Sequence, residues 1–367
     1  MNRVRVSNVQ IITAIFGTTA AYGHFVYTGL VFRAVGRDAW FCLLLGVVIG
    51  TGILYMQTKL AQFFGRASLI QYTMSLFGRW AGSIVSWIYI LFFCFVAGLT
   101  IQELSLFMGV IYPETPARFF LIFEFLLIAW VVRGGGEVVT RVIQLILPIL
   151  VIVGLAAALF SMRDKDPSEL LPLFDHSFMN FVHGTLIYVV MVCDLIVFGM
   201  YYSDVVDIDK LVKKGWIISV IAVLMFIGPT TGPIMVFGQK LAAALPYPTF
   251  AEIKYIHISG VFERMDIAAV LLWTMGAYVR ASVYVLGATR AVAHLFNEQR
   301  ETLYTLPVTV FVAGLSLSVL PNSREDIHQF LYSQYLLIAL FVGLVLPLIT
   351  VLLVLIRGKG VMAAGGG

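Results

Sequence analysis

The chain has 367 residues, of which 60% are apolar and only 12% are charged. Its mean hydropathy of +0.95 excludes an ordinary water-soluble protein, in which about 25% of residues are charged. The net charge of +4 is small and scattered, so we expect no nucleic-acid partner. Cys42, Cys94 and Cys193 lie in apolar runs without metal-ligand spacing, so we expect reduced packing residues and no metal site.

Ten apolar runs are long enough to cross a membrane, which takes about 20 residues. They are numbered span 1 to span 10 in chain order: 8–32, 39–63, 81–111, 117–132, 138–161, 178–203, 214–238, 264–296, 303–320 and 328–356. We therefore expect an all-α integral membrane protein with one transmembrane domain over residues 1–367. The termini and the connections on their side carry the excess of Lys and Arg, which predicts that both termini face the cytoplasm.

Two residues of opposite charge lie near the middle of spans, where an ionisable side chain marks a functional site by default. They are Asp194 in span 6 and Arg280 in span 8. We expect the two either to pair or to share a hydrated cavity. Tyr284 lies four residues after Arg280 and so shares its helical face. An ion pair that only fixes the packing of helices is the alternative.

Two glutamates, Glu103 in span 3 and Glu124 in span 4, also lie within apolar runs. The two spans are antiparallel and each glutamate is two to three turns from their connection, so both should lie at similar depth. If the carboxyls are adjacent they can share a proton, because burial and like charge both favour the protonated acid. They are therefore candidate proton sites. Two separate polar crevices remain the alternative.

The stretch "GTTAAYGH", Gly17 to His24, interrupts the apolar sequence of span 1. Breaks in membrane helices expose backbone groups that bind small ions or polar ligands near the midplane. Gly17 and Gly23 supply conformational freedom, and Thr18, Thr19 and Tyr22 can satisfy freed backbone groups. The alternative is a continuous helix in which the small residues allow close packing.

A second, weaker interruption lies in span 6 around Cys193 and Asp194, five spans after the first. Matched breaks five spans apart are the pattern of two inverted five-helix repeats. The sequence thus predicts a leucine-transporter-like 5+5 arrangement with broken helices 1 and 6. The repeats would cover roughly 8–161 and 178–320, with additional elements.

Three motifs occur in a specific order along the chain: "YPETP" at 112–116, "GGGEVVTRVIQLILP" at 134–148 and "FERMDIAAVLLW" at 262–273. With ten spans and this length, the chain resembles the B subunits of the GerA-type nutrient receptors of bacterial endospores. These permease-like proteins belong to the amino acid–polyamine–organocation transporter superfamily.

The resemblance implies a receptor subunit in the spore inner membrane that binds a small germinant, typically an amino acid, between spans 1, 3, 6 and 8. It also implies a complex with an A subunit and a C subunit. Transferred by motif, the pocket comprises Ala21, Tyr22, Gly23, Val96, Asp194, Arg280 and Tyr284; Gly17 joins them as part of the interruption.

Two other functions fit the same composition and breaks. One is a proton-coupled amino-acid transporter with Glu103 or Glu124 as the proton site. The other is a conduit in which the ligand opens a path for water or ions. An enzyme is not expected, because the sequence contains no nucleophile–base set and no phosphate-binding loop, and no cofactor is expected.

Overall fold

The computed structural model describes residues 6–65, 67–256 and 265–357, and the side chains of Ala21 and Tyr22 lie outside this description. Within the described ranges the regular elements are helical, and one isolated parallel bridge joins Val6 to Val205. The first three residues of the "FERMDIAAVLLW" motif also lie outside the described ranges.

Eight stretches of the described chain are long and apolar enough to cross a membrane. Asn8–Phe63 has 56 residues, which as helix would measure about 84 Å, more than twice the hydrocarbon thickness of roughly 30 Å. A turn at Gly36, with φ of +47°, divides this stretch into spans 1 and 2. Ala117–Arg133 has 17 residues and adds a short span 4. The described chain therefore contains the ten predicted spans.

The spans have the following bounds. Spans 2 to 5 are Ala39–Phe63, Arg79–Ile111, Ala117–Arg133 and Gly135–Ser161. Spans 7 to 9 are Ile208–Ala244, Met265–Leu295 and Thr305–Ser318. Span 10 consists of Arg324–Phe330, Leu336–Leu340 and Leu346–Arg357, separated by π-helical turns at Leu331–Tyr335 and Phe341–Val345. Short helices Leu69–Phe77 and Pro248–Tyr255 lie between spans.

Span 1 changes its helical form near its centre. An α-helix over Asn8–Tyr22 is followed by a π-helical turn, Gly23–Tyr27, and a second α-helix, Thr28–Val35. The interruption predicted in this span is thus a π-helical turn and not an unwound segment. Such turns leave local backbone groups without their usual α-helical partners and are frequent at functional sites.

Span 6 changes form at the predicted position. Its α-helix covers Phe178–Cys193 and continues as a 3₁₀ helix over Asp194–Met200. The predicted breaks in spans 1 and 6 are both confirmed. The repeat boundaries, 8–161 and 178–320, stay a prediction.

The centre of the bundle is formed where span 8 packs against spans 1 and 3. Arg280 and Tyr284 are among its largest fully buried side chains. Many large apolar side chains on spans 5, 7 and 9 point outward and are exposed, as lipid-facing residues should be. The two ends of the bundle are called here the Val6 side, where span 1 begins, and the Arg33 side, where it ends.

Candidate functional site

The two mid-span charges meet in the centre of the bundle. Nη2 of Arg280 lies 2.8 Å from Oδ2 of Asp194, and the two side chains are 1% and 0% exposed. This distance is that of a charge-assisted hydrogen bond. The pair joins span 8 to the first residue of the 3₁₀ segment of span 6.

Three tyrosines complete the surroundings of Asp194. The Tyr27 hydroxyl donates to Oδ2 at 3.0 Å, and the Tyr335 hydroxyl donates to Oδ1 at 2.7 Å. The Tyr284 hydroxyl donates to the backbone carbonyl of Asp194 at 2.7 Å. This bond lies at the point where span 6 changes from α-helix to 3₁₀ helix. Both carboxylate oxygens therefore have partners, as a buried charge requires.

The guanidinium of Arg280 ties span 8 to spans 1 and 3. Its Nε donates to Oγ1 of Thr100 and its Nη1 to the carbonyl of Thr18, each at 3.3 Å. Its carbon lies 5.0 Å from the centre of the Tyr284 ring, within cation–π range. Thr100 in turn donates to the carbonyl of Val96, which connects this predicted residue to the network.

The two glycines of span 1 have different surroundings. Gly17 lies in regular α-helix, where a methyl group would approach the Ile143 and Val279 side chains to 3.3 Å. Gly23 begins the π-helical turn and packs against Phe226 and Met191. The backbones of Ala21 and Tyr22 lie in the helix between them, but their side chains are outside the description. The ligand-binding role of these four residues stays a prediction.

The two glutamates have separate partners. Oε1 of Glu103 is 2.8 Å from Nε2 of His328 at the start of span 10. Glu124 is buried in span 4, near Tyr278 of span 8. One oxygen of each carboxyl, Oε2, is buried without a hydrogen-bond partner in the described chain. Among the described residues no hydrogen bond links the two carboxyls, so the arrangement resembles the predicted alternative of separate crevices.

Three site residues were missed by the sequence analysis: Tyr27, Thr100 and Tyr335. Thr18 was placed in the interruption of span 1, but the bond from Arg280 to its carbonyl was not predicted. One signal was present, because a buried ion pair needs further donors and acceptors, and tyrosines within the spans are natural candidates. The pairing of Tyr335 with Asp194 joins residues 141 positions apart, and no local pattern predicts it.

Ten spans around an internal polar site, with breaks in spans 1 and 6, define an integral membrane protein with a transporter architecture. The chain belongs to the spore germination protein family, whose model matches residues 5–327. It is 23% identical to spore germination protein KB of Bacillus subtilis (strain 168) over 318 residues, covering 85% of each chain. It is 22% identical to spore germination protein XB of Bacillus anthracis over 330 residues, covering 89% of this chain and 91% of the relative.

The fold is also found in a solved structure. Mhp1, a nucleobase-cation-symport-1 family transporter in a closed conformation with bromovinylhydantoin bound, superimposes with a TM-score of 0.73 at 13% sequence identity. The match covers 92% of this chain and 76% of the transporter. It confirms the predicted leucine-transporter-like fold.

Proposed function

We propose that the protein is the ligand-binding membrane subunit of a spore germinant receptor and that it senses a small zwitterion, such as an amino acid, at the Asp194–Arg280 pair. The observation that carries this proposal is the pair itself, completely buried and bonded to spans 1, 3, 6, 8 and 10. Gly17, Ala21, Tyr22, Gly23 and Val96 complete the proposed site around it.

The charges of the pair select the class of ligand. Separating a buried ion pair leaves two unpaired charges, and an unpaired partner typically costs about 3–5 kcal/mol. A zwitterion replaces both interactions at once, its ammonium meeting Asp194 and its carboxylate meeting Arg280. A ligand with only one charge leaves the other protein charge unpaired. The guanidinium also neutralises Asp194 without a metal ion, so binding should not depend on sodium.

A ligand between Asp194 and Arg280 acts on the contact between spans 6 and 8. It shifts the receptor toward whichever conformation binds it better, and this shift is the signal. We propose that A and C subunits receive the signal in the spore inner membrane, with both termini of this chain in the cytoplasm. Membership of the spore germination protein family supports this assignment.

A proton-coupled transporter is the second candidate, and the Glu103–His328 pair favours it. The two side chains are buried and lie 2.8 Å apart, so a proton can pass between them without solvent. The likeness in fold to a transporter is consistent with this function.

Calorimetry on the purified protein in lipid nanodiscs tests the zwitterion proposal. The ligand panel contains amino acids, their amides, their des-amino acids and small sugars. We expect saturable binding of a zwitterion and no binding of analogues that lack either charge. Asp194→Asn should abolish binding, and Tyr335→Phe should weaken it about tenfold by removing one hydrogen bond to the carboxylate.

Tyr201→Phe is the matched control, because the Tyr201 hydroxyl is equally buried but donates to the carbonyl of Val283. Its binding should equal that of the wild type. Zwitterion binding that survives Asp194→Asn in a folded protein contradicts the proposed site. Uptake of the labelled ligand into proteoliposomes, driven by a proton gradient and lost in Glu103→Gln, establishes the transporter instead.

A further inference from the structure

A cavity of about 290 Å³ lies between spans 1, 5, 7 and 8 and the short helix Pro248–Tyr255. The Asp194–Arg280 pair does not line it. Its space arises from small residues on the facing helices, including Ala20, Gly154, Ala158 and Gly228. A methyl group added at Gly154 or Gly228 would meet nothing within 4 Å.

The cavity opens toward the lipid-facing surface. Leu155 of span 5 and Leu224 of span 7 line it and are 60% and 71% exposed. In a membrane these exposed apolar side chains contact hydrocarbon. A molecule dissolved in the bilayer can therefore enter between spans 5 and 7 without crossing water.

Polar groups lie among the apolar walls. Nζ of Lys165 is 3.0 Å from Oε1 of Glu252, and each side chain is only 6% exposed. Burial raises the pKa of the Glu252 carboxyl, although the adjacent Lys165 opposes the shift. Because these two groups already pair, a charged occupant would find no free counter-charge in them.

His24 supplies the one side-chain polar atom of the lining that is buried without a hydrogen-bond partner in the described chain, its Nε2. The ring is held edge-on against Phe226, with the ring centres 4.5 Å apart. A hydroxyl group can either donate to this nitrogen or accept from it, so it satisfies both neutral tautomers.

We propose that this cavity binds a neutral amphiphile that enters from the bilayer, with a hydroxyl head at His24 and an apolar body between spans 5 and 7. The volume holds roughly ten non-hydrogen atoms, if each takes about the 30 Å³ of a water molecule. A two-chain phospholipid is far larger, so the occupant is a small free amphiphile such as a medium-chain alcohol.

A molecule bound in the cavity also affects span 1. His24 is the second residue of the π-helical turn that ends at Tyr27, and Tyr27 bonds to Asp194. An occupant bound to His24 therefore acts on the same turn that supports the central ion pair. It provides a second route by which a small molecule shifts the conformation of the protein.

Photolabelling of the full chain in phosphatidylcholine nanodiscs tests the proposal, with octanol carrying a diazirine as the probe. Mass spectrometry should find saturable labelling on the cavity residues of spans 5 and 7, and excess octanol should compete it. Gly154→Leu places its first carbon in open space and the rest of its side chain into the cavity, and it should reduce this labelling about tenfold. Gly228→Leu, on the opposite wall, should do the same and serves as the second variant if the first does not fold.

Gly314→Leu is the matched control, because Gly314 of span 9 also has open space around it and does not line the cavity. Its labelling should equal that of the wild type. His24→Phe keeps the shape of the ring but removes the nitrogen, and should abolish the preference for octanol over a diazirine hydrocarbon of the same length. Two results would overturn the proposal. One is labelling that does not saturate and is spread over all lipid-facing helices. The other is labelling of the cavity by a phospholipid with a diazirine in its acyl chain that octanol does not displace.

Discussion

At the scale of single residues, the central feature is that each charge of the site depends on the other. Asp194 accepts from Arg280, Tyr27 and Tyr335, and its side chain is 0% exposed. Such a pair adds little net stability compared with a well-packed apolar core, but removal of one partner is costly. The pair thus contributes little to stability, but it is well suited to recognising a ligand with two charges.

Arg280→Met should therefore destabilise the protein by about 3–5 kcal/mol, because it leaves the Asp194 carboxylate buried without its counter-charge. The double variant Asp194→Asn with Arg280→Met should regain at least half of this loss, since no charge then remains unpaired. Thermal unfolding in nanodiscs measures both. If the single and double variants lose the same amount of stability, the two residues do not interact as a pair.

Substitutions of Glu103 and of His328 should change the stability of the protein by different amounts. Glu103→Gln keeps an oxygen for Nε2 of His328, so stability should change by less than about 1 kcal/mol. His328→Leu removes the partner of Oε1 of Glu103, and in the described chain Oε2 of the same carboxyl already has no partner. This substitution should cost about 1–3 kcal/mol. The same unfolding measurement compares them; a larger loss in Glu103→Gln would contradict this account.

At the scale of helices, the backbones of spans 10 and 6 approach each other closely at Gly343. A methyl group on Gly343 would lie 2.6 Å from the carbonyl carbon of Cys193, the residue before Asp194. Gly343 belongs to the second π-helical turn of span 10, and the first such turn ends at Tyr335. The same close contact thus positions the Tyr335 hydroxyl against Asp194.

Gly343→Ala should push span 10 away from span 6 and destabilise the protein by about 1–3 kcal/mol, as overpacking of a tight core does. Zwitterion binding should weaken with it. Gly314→Ala in span 9 is the control, because its methyl group meets nothing and alanine favours helix by about 1 kcal/mol. Unfolding and calorimetry on the two variants check this; equal behaviour would show that the contact between spans 6 and 10 has no special role.

The helices themselves were predictable from sequence, because hydropathy alone reports a helix in lipid. The break at Asp194 was also predictable, since a charge in an apolar run marks it. The π-helical form of the turn at Gly23 was not, because it depends on packing against Phe226 and Met191 of other spans. Span 3 joins the site through the hydroxyl of Thr100, and span 10 joins it through the hydroxyl of Tyr335. One sequence carries no signal for such distant contacts.

At the scale of the whole molecule, the charged contacts at the two ends of the bundle differ. On the Val6 side, buried Arg290 bonds to Asp204 at 2.8 Å and to Glu301 at 3.0 Å. The Val6–Val205 bridge lies next to it. On the Arg33 side, Lys165 and Glu252 form a pair at 3.0 Å with each side chain 6% exposed. Arg33 approaches Glu325 only to 3.6 Å, and these two side chains are 31% and 75% exposed. Each end therefore has a buried charged contact, and the exposed Arg33–Glu325 pair should contribute only about 0–1 kcal/mol.

Arg290→Gln should consequently loosen the Val6 side alone. We expect amide hydrogen exchange over 6–11 and 198–206 to accelerate at least about tenfold, because two carboxylates lose a buried cation and local opening needs less free energy. Glu325→Gln should change exchange over 324–330 by no more than about fivefold, the effect of an exposed pair. Mass spectrometry of the protein in nanodiscs measures both sets of peptides. Equal acceleration by the two variants would show that the buried Arg290 contacts matter no more than the exposed Arg33–Glu325 pair. Uniform acceleration by Arg290→Gln over the whole chain would show that Arg290 stabilises the fold as a whole and not the Val6 side.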